Sequence, residues 1–484
     1  MATISEYLNK LINQKNTLAD NIMSKGIEAT HDETFETLIP KILDVPQGIH
    51  PIGFDGRPSG DVIVPDGVTS LYQYIFDKNS SVASVKLPST LTELSDYAFR
   101  ECTALTNIMF PDGITEIPLA CCETCSQLES VTLPKSLTYI KSYAFKDCSK
   151  LSNIIIPDDI GSLEASHYAF NGTLLGNDAI TSLATKINKT GQYVFAESSN
   201  LTEVTTLITY NGYFSDCTNL LKATILSPLS NGGMGDYVFS GCSKLETVEL
   251  PDGLTIIGSA AFRWCTNLPT INVPNSVTKI GSSAFYKCSS LCNLNLPDDV
   301  SFSVMNNAFE SSGITNDGVN NIMSHATSFG DNVFMSCLSL TDIRVNKTSD
   351  GMFRDCTNLV SAVLSDITTI SRHVFQGCTA LKTVSLPSTI TSDPNKCLTS
   401  TSSSYYVFYG CTALEDVQLG QDWNMSLRLD VSNNITVDSM VAMFNSLKDL
   451  TGATAKTLTL GPTNLAKLTD DQKAIATNKN WILA

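Results

Sequence analysis

The sequence predicts an α/β repeat solenoid, and two observations predict it. Phenylalanine followed three residues later by cysteine recurs ten times, from Phe99/Cys102 to Phe408/Cys411. Around each pair runs a longer frame, clearest in Leu245-Glu-Thr-Val-Glu-Leu-Pro-Asp-Gly-Leu-Thr-Ile-Ile-Gly-Ser-Ala-Ala-Phe262. A period near 23 residues with fixed apolar positions marks coils that bury their apolar side only when neighbours stack on them.

Counting frame phenylalanines, with Cys122 in one of the slots, gives about fifteen coils between Phe76 and Phe408. Most steps are 22 to 25 residues; Phe195 to Phe214 and Phe334 to Phe353 are 19, and Phe375 to Phe408 is 33. The long step holds a Ser/Thr-rich stretch from Ser392 to Ser404, which reads as a loop inserted into one coil. A second period lies above the first. Phe145, Phe170, Phe195 and Phe214 map onto Phe285, Phe309, Phe334 and Phe353 with offsets of 139 or 140, so the block near 145–214 is duplicated near 285–353. The exceptional coils carry an Asn-Asp start followed by apolar residues at helical spacing, Ile180/Leu183/Ala184 and Val319/Ile322/Met323. Asn or Asp before such a run signals a helix start, so these coils are expected to exchange an extended convex side for a short helix.

Within one coil, Ile108 and Phe110 alternate with polar or exposed positions as a half-buried strand requires. Identical strands stacked coil on coil make one parallel sheet. Proline at positions such as Pro88, Pro111, Pro134, Pro251 and Pro274 has no N–H for a ladder and ends the strand. Asp-Gly or Asp-Asp then suits a tight turn, the next apolar pair (Leu254/Ile257) returns the chain along the opposite side, and Ala-Phe closes the coil.

This frame resembles the BspA-like, or Treponema-type, leucine-rich repeats over roughly residues 61–420. The resemblance implies a right-handed solenoid with its parallel sheet on the concave face. It also implies a role at the cell surface or outside the cell in adhesion and partner binding. Departures are Cys122 in a phenylalanine slot, four coils without the cysteine (Asn79, Thr173, Ser198, Ser312), and the short coils, expected to disturb curvature locally.

Four segments follow. Residues 1–45 carry Ile4, Leu8, Leu11, Ile12, Leu18 and Ile22, then Phe35, Leu38, Ile39 and Ile42, at helical spacing around Lys25-Gly26. They read as an amphipathic hairpin that caps the first coil or serves as a handle for self-association. The hairpin looks like short segments on phage-tail and prophage-associated proteins of gut Gram-positive bacteria. Residues 46–60 are a Gly/Pro-rich linker and 61–420 the repeats. Residues 421–484 are an α/β cap, with helices expected at 436–447 and 469–476 around a strand at 456–460.

With 42% hydrophobic residues the chain can build a large core. A net charge of −17 and no Lys/Arg block exclude a nucleic-acid footprint. The phasing of eleven of the fifteen cysteines reads as reduced, buried, apolar packing rather than a disulfide framework. Cys121-Cys122-x-x-Cys125 has metal-like spacing but lacks the further ligands a zinc site needs. No apolar run of membrane-spanning length occurs, and Met1 to Lys10 shows neither the basic start nor the apolar core of an export signal; no anchor is visible. Histidines are scattered, and phosphate-loop, dinucleotide and nucleophile-elbow motifs are missing, so no catalytic residue, cofactor or metal is expected.

What remains is the outward face of the strands. By alternation it presents Asn107, Met109, Thr132, Asn153, Glu249, Asn272, Asn293, Asn295, Asp342, Arg344, Ser385 and Gln418, small and polar for the most part. A long repetitive face suits weak contact at many points. The sequence therefore predicts a non-enzymatic scaffold for a protein or glycan partner, with a structural phage-tail or fibre-associated subunit assembling through residues 1–45 as the alternative.

Overall fold

A computed structural model describes residues 60–64, 66–207, 209–402 and 405–484. The hairpin expected at 1–45 and nearly all of the linker after it lie outside the described residues. The chain divides into two compact units, residues up to Val204 and from Thr205 onward, each a stack of short parallel strands.

In the first unit, Gly60–Ile63, Val82–Lys86, Asn107–Met109, Ser130–Thr132 and Asn153–Ile155 form a five-stranded parallel sheet, here the first sheet. On the other side of each coil lie Glu116–Ile117, Tyr139–Ile140, Leu163–Ala165 and Ile187–Thr190, four parallel strands of a second sheet. The second unit repeats the plan. Its first-sheet strands include Lys222–Ile225 with Thr247–Glu249, Thr270–Asn272 with Asn293–Asn295, and the four-stranded run Asp342–Val345, Ser361–Leu364, Thr383–Leu386 and Asp416–Leu419. Ile256–Ile257, Lys279–Ile280, Phe302–Val304 and Ala326–Phe329 make its second sheet.

Between the sheets runs a column of rings. Phe214, Phe239, Phe262, Phe285, Phe309, Phe334, Phe353, Phe375 and Phe408 stack in order at 5.3–6.1 Å, nearly parallel. In the first unit the column has a gap where Cys122 replaces phenylalanine. Phe110, standing in a slot that is Leu or Val in most coils, meets Phe145 edge-on at 6.4 Å and supplies the missing volume.

The corner carrying each phenylalanine has a geometry that the sequence conceals. The residues two before and two after it take positive φ, as at Tyr97 (62°) and Glu101 (55°), or Tyr143 (61°) and Asp147 (58°). Left-handed backbone is unfavourable for most side chains. Here it aims alternate N–H groups at the next coil. Tyr97, Phe99 and Glu101 donate to the carbonyls of Leu119, Cys121 and Glu123, and the pattern repeats along both units. A third ladder, made of stacked turns, thus joins the coils.

The cysteine slot also differs from the apolar reading. Ten slot thiols donate to the carbonyl of the frame residue one coil earlier, among them Cys102 to Phe76 (3.0 Å), Cys125 to Phe99 (3.0 Å), Cys265 to Phe239 (3.1 Å) and Cys288 to Phe262 (2.9 Å). Where cysteine is absent the slot still holds a polar side chain, and Thr173 and Ser198 donate to the carbonyls of Phe170 and Phe195 at 2.9 Å. The slot selects a small buried donor. All fifteen cysteines are free thiols, and only Cys292 is exposed.

Helices α1 (Asn177–Lys186) and α2 (Asn316–His325) form in the coils with Asn-Asp starts, but not on the expected side. The second-sheet strands Ile187–Thr190 and Ala326–Phe329 are kept, and the helices stand in the row of first-sheet strands. The predicted exchange of the convex side is thereby corrected. The asparagines explain how a sheet tolerates this. In an ordinary coil the N–H groups of Glu129 and Ser130 share the carbonyl of Thr106. After α1, Thr202 and Glu203 donate instead to Oδ1 of Asn177 at 2.9 and 3.0 Å; after α2, Thr341 and Asp342 donate to Oδ1 of Asn316 at 3.0 and 3.3 Å. The side-chain amide takes the role of the missing strand's carbonyl. Asn316→Ala is expected to cost about 1–2 kcal/mol, because two donors lose their acceptor near solvent, while Asn316→Asp costs less. Urea unfolding of the two variants checks this.

After the last first-sheet strand, helix α3 (Val437–Ser446) lies against it, with Ser439 Oγ accepting from Val417 N–H at 2.8 Å. Leu427–Arg428, Lys456–Thr459 and Trp481–Leu483 form a final parallel sheet. Helix α4 (Gly461–Leu465) follows its middle strand, and α5 (Asp470–Thr477) opens with a capping box between Thr469 and Gln472.

Candidate binding surface

All twelve residues chosen from the sequence lie on first-sheet strands, but the structure does not bring them together into one surface. In the first unit Asn107, Met109, Thr132 and Asn153 share the five-stranded sheet. In the second, Asn272, Asn293 and Asn295 sit on the pair that precedes α2. Asp342, Arg344, Ser385 and Gln418 sit on the four strands that follow it, and Glu249 on Thr247–Glu249. The single face expected along the sheet is interrupted, because α2 occupies a strand's place.

In the first unit the register aligns two rows. Asp61, Ser84, Asn107, Ser130 and Asn153 form a polar row, with Ser84 donating to Asp61 (2.6 Å) and Asn153 to Ser130 (3.1 Å). Two residues along each strand run Ile63, Lys86, Met109, Thr132 and Ile155. Three of these are large apolar side chains held out to solvent: Ile63 is 71% exposed, Met109 64% and Ile155 50%. They sit on alternate strands, hence about 10 Å apart.

Beside the last of these strands, α1 opens a groove of about 620 Å³ lined by Asn153, Ile154, Asn177, Asp178, Ser182, Asn200 and Thr202 among others. In the duplicated copy a side chain crosses the corresponding space. There Asn321, which replaces Ser182 at an offset of 139, reaches back to the strand and donates to the carbonyl of Leu294 (2.8 Å) and Oδ1 of Asn293 (3.2 Å). The change from Ser182 to Asn321 is thus one difference between the duplicated blocks that puts a side chain across this space in the second copy. The groove was not legible in the sequence, since the helix was expected on the far side of the coil.

The surface offers contact chemistry. Among the described residues no group of three or more His, Cys, Asp or Glu side chains is placed to hold a metal ion, and Cys121, Cys122 and Cys125 are buried in the repeat core. Among the same residues no helix is long and apolar enough to cross a membrane.

Stacked short parallel strands, a buried phenylalanine column and a leucine at the head of most first-sheet strands define a leucine-rich-repeat solenoid. The chain belongs to the BspA type leucine rich repeat region family, which matches residues 47–175, 162–231, 207–341 and 303–405. It is similar in structure to a leucine-rich repeat protein from Bacteroides ovatus (23% identity over 69% of this chain and 90% of that one, TM-score 0.49). It is also similar to a leucine rich cell surface protein from Faecalibacterium prausnitzii (22%, 76% and 89%, 0.32). A third similar structure is the pneumococcal vaccine antigen PcpA (15%, 90% and 91%, 0.36). No curated protein matches the sequence.

Proposed function

We propose that this protein is a non-enzymatic binding scaffold that acts at the cell surface or outside the cell, engaging a protein or glycan partner through the first-sheet face. The observation that carries this reading is the row Ile63, Met109 and Ile155, exposed on a sheet whose other outward positions are mainly polar. Large side chains left in water in a regular line cost solubility and serve contact. The groove beside Asn153 extends the same face. Asn107, Thr132 and Asn153, on the same sheet, supply polar contacts around these anchors.

The test is binding of the full chain to a panel of immobilised matrix proteins and glycans, compared with Met109→Glu/Ile155→Glu. Both positions are exposed strand sites, so the double variant is expected to fold and to lose at least tenfold in affinity for whatever the parent binds. Equal binding by the two chains defeats the strand-face reading. Light scattering tests the alternative: oligomers that vanish on removing residues 1–45 favour an assembling structural subunit.

A further inference from the structure

A second surface, on the phenylalanine corner of the second unit, is separate from the strand face and does not depend on it. Along that corner only Tyr237 and Tyr406 stand two before a frame phenylalanine, whereas in the first unit that residue is always tyrosine. There these rings cover one another: Tyr74 stacks on Tyr97 at 5.1 Å, and Tyr143, Tyr168 and Tyr193 stack in series at 5.5 and 5.1 Å. Arg100 lies over Tyr97 at 4.8 Å. Tyr237 is different. Its neighbours in the same slot are Gly212 and Ala260, no ring or cation contact is found for it among the described residues, and it is 40% exposed.

One coil further, in the slot two after the phenylalanine, stands Trp264, 41% exposed, whereas Trp423 and Trp481 are buried. The same slot in the other coils holds no aromatic residue; its occupants include Lys78, Glu101, Asp147, Asp216 and Ser311. One side of the indole carries Lys287, its ammonium 4.2 Å from the ring centroid. On the other side the neighbouring coil presents Gly241, which has no side chain to cover the ring. The carboxylate of Asp216 reaches into that space: a Cβ on Gly241 would lie 2.0 Å from its Oδ1. Tyr286 meets Trp264 edge-on at 6.3 Å, with Arg263 5.3 Å from its centroid.

We infer that Trp264 and Tyr237 form an aromatic platform for a neutral oligosaccharide, one sugar ring resting on the open face of Trp264, opposite Lys287, with its hydroxyls bonding to Asp216. A pyranose has an apolar C–H face that suits a flat indole and a rim of hydroxyls that both donate and accept. The carboxylate beside the ring accepts hydrogen bonds only, so it selects a donor-bearing ligand. A proline-rich peptide, the other common partner of exposed aromatics, brings few donors and is disfavoured on this ground.

Trp264 is the one exposed tryptophan, so its fluorescence reports binding directly. The full chain is titrated with cellohexaose, maltohexaose, laminarihexaose, chitohexaose and a proline decamer. The expected result is a saturable change with at least one hexaose, weakened at least tenfold in Tyr237→Ala and Asp216→Asn. Binding by Trp264→Lys, read calorimetrically, is expected to be lost. Lysine stands at this slot in the next coil, at Lys287 with φ 57°, so this variant keeps the fold, and circular dichroism verifies it. No saturable response to any hexaose, or hexaose binding that survives Trp264→Lys, overturns the proposal. A response to the proline decamer alone overturns it in favour of a peptide ligand.

Discussion

Raising the pH past about 9 is expected to unfold this protein steeply. Burial holds the thiols of Cys242, Cys265, Cys288, Cys356, Cys378 and Cys411 above their ordinary range, and that of Cys337 is pushed up to about 12. Each sits beside the phenylalanine column, where a thiolate would lose its hydration, and each proton is already given to a carbonyl. In the unfolded chain a thiol ionises near pH 8.5. Above that pH the unfolded state holds fewer protons than the folded one, so stability falls as pH rises. The contribution is fully present below the unfolded value and is lost toward the raised folded values. Each thiol removes about 1.4 kcal/mol per pH unit, so the seven titrating together remove about 10 per unit, comparable with the whole stability of an ordinary domain. Circular dichroism along a pH series, with Cys265→Ser and Cys288→Ser as variants that keep the donor but do not ionise, measures this. The variants should unfold at higher pH, and a folded state indifferent to pH through this window would contradict the account.

The second large effect is expected at Phe262. Its ring is fully buried and stacked between Phe239 at 5.6 Å and Phe285 at 5.4 Å. Phe262→Ala removes contacts on both sides at once and leaves a cavity that neighbouring coils, pinned by strands and turns, cannot collapse to fill. A loss of about 3–5 kcal/mol follows. Because a stacked array is held by nearest-neighbour interfaces, the damage should also break cooperativity. Urea curves followed by far-ultraviolet dichroism and by tryptophan emission, coincident for the parent, should separate in this variant. Phe408→Ala, with a frame neighbour on one side only in the described column, should cost less.

Much of this architecture was legible because each coil repeats its chemistry in phase. Proline after the strand, Asp-Gly turns and Ala-Phe announced where the chain changes direction. What stayed hidden depends on contacts between coils. Tyr97 and Glu101 give no local sign of left-handed backbone, since the stacked turn ladder imposes it where glycine would be the usual marker. The donor role of the cysteine slot did leave a trace, in that Asn79, Thr173, Ser198 and Ser312 replace it with polar groups. Reading cysteine alone as a small apolar residue missed that trace. The helix in the Asn-Asp coils was visible from Ile180, Leu183 and Ala184, but which side it occupies was not, because the asparagine that marks its start works for the next strand. Of the surface, the strand positions followed from alternation. The exposure of Trp264 depends on Gly241 one coil away, which no single coil's text reveals.

That asparagine has an architectural corollary. By offering one amide oxygen where a peptide carbonyl would be, Asn177 and Asn316 make a helical coil look, to the strand that follows, like another strand. Strand coils and helical coils therefore have compatible couplings and can succeed each other without altering their neighbours. Such interchangeable joints let a block of several coils be copied in tandem as a cassette, which is what the 139-residue offset records. They also leave each copy free to diverge inside, as Ser182 and Asn321 have done, so that lengthening the scaffold and diversifying its surface become the same evolutionary event.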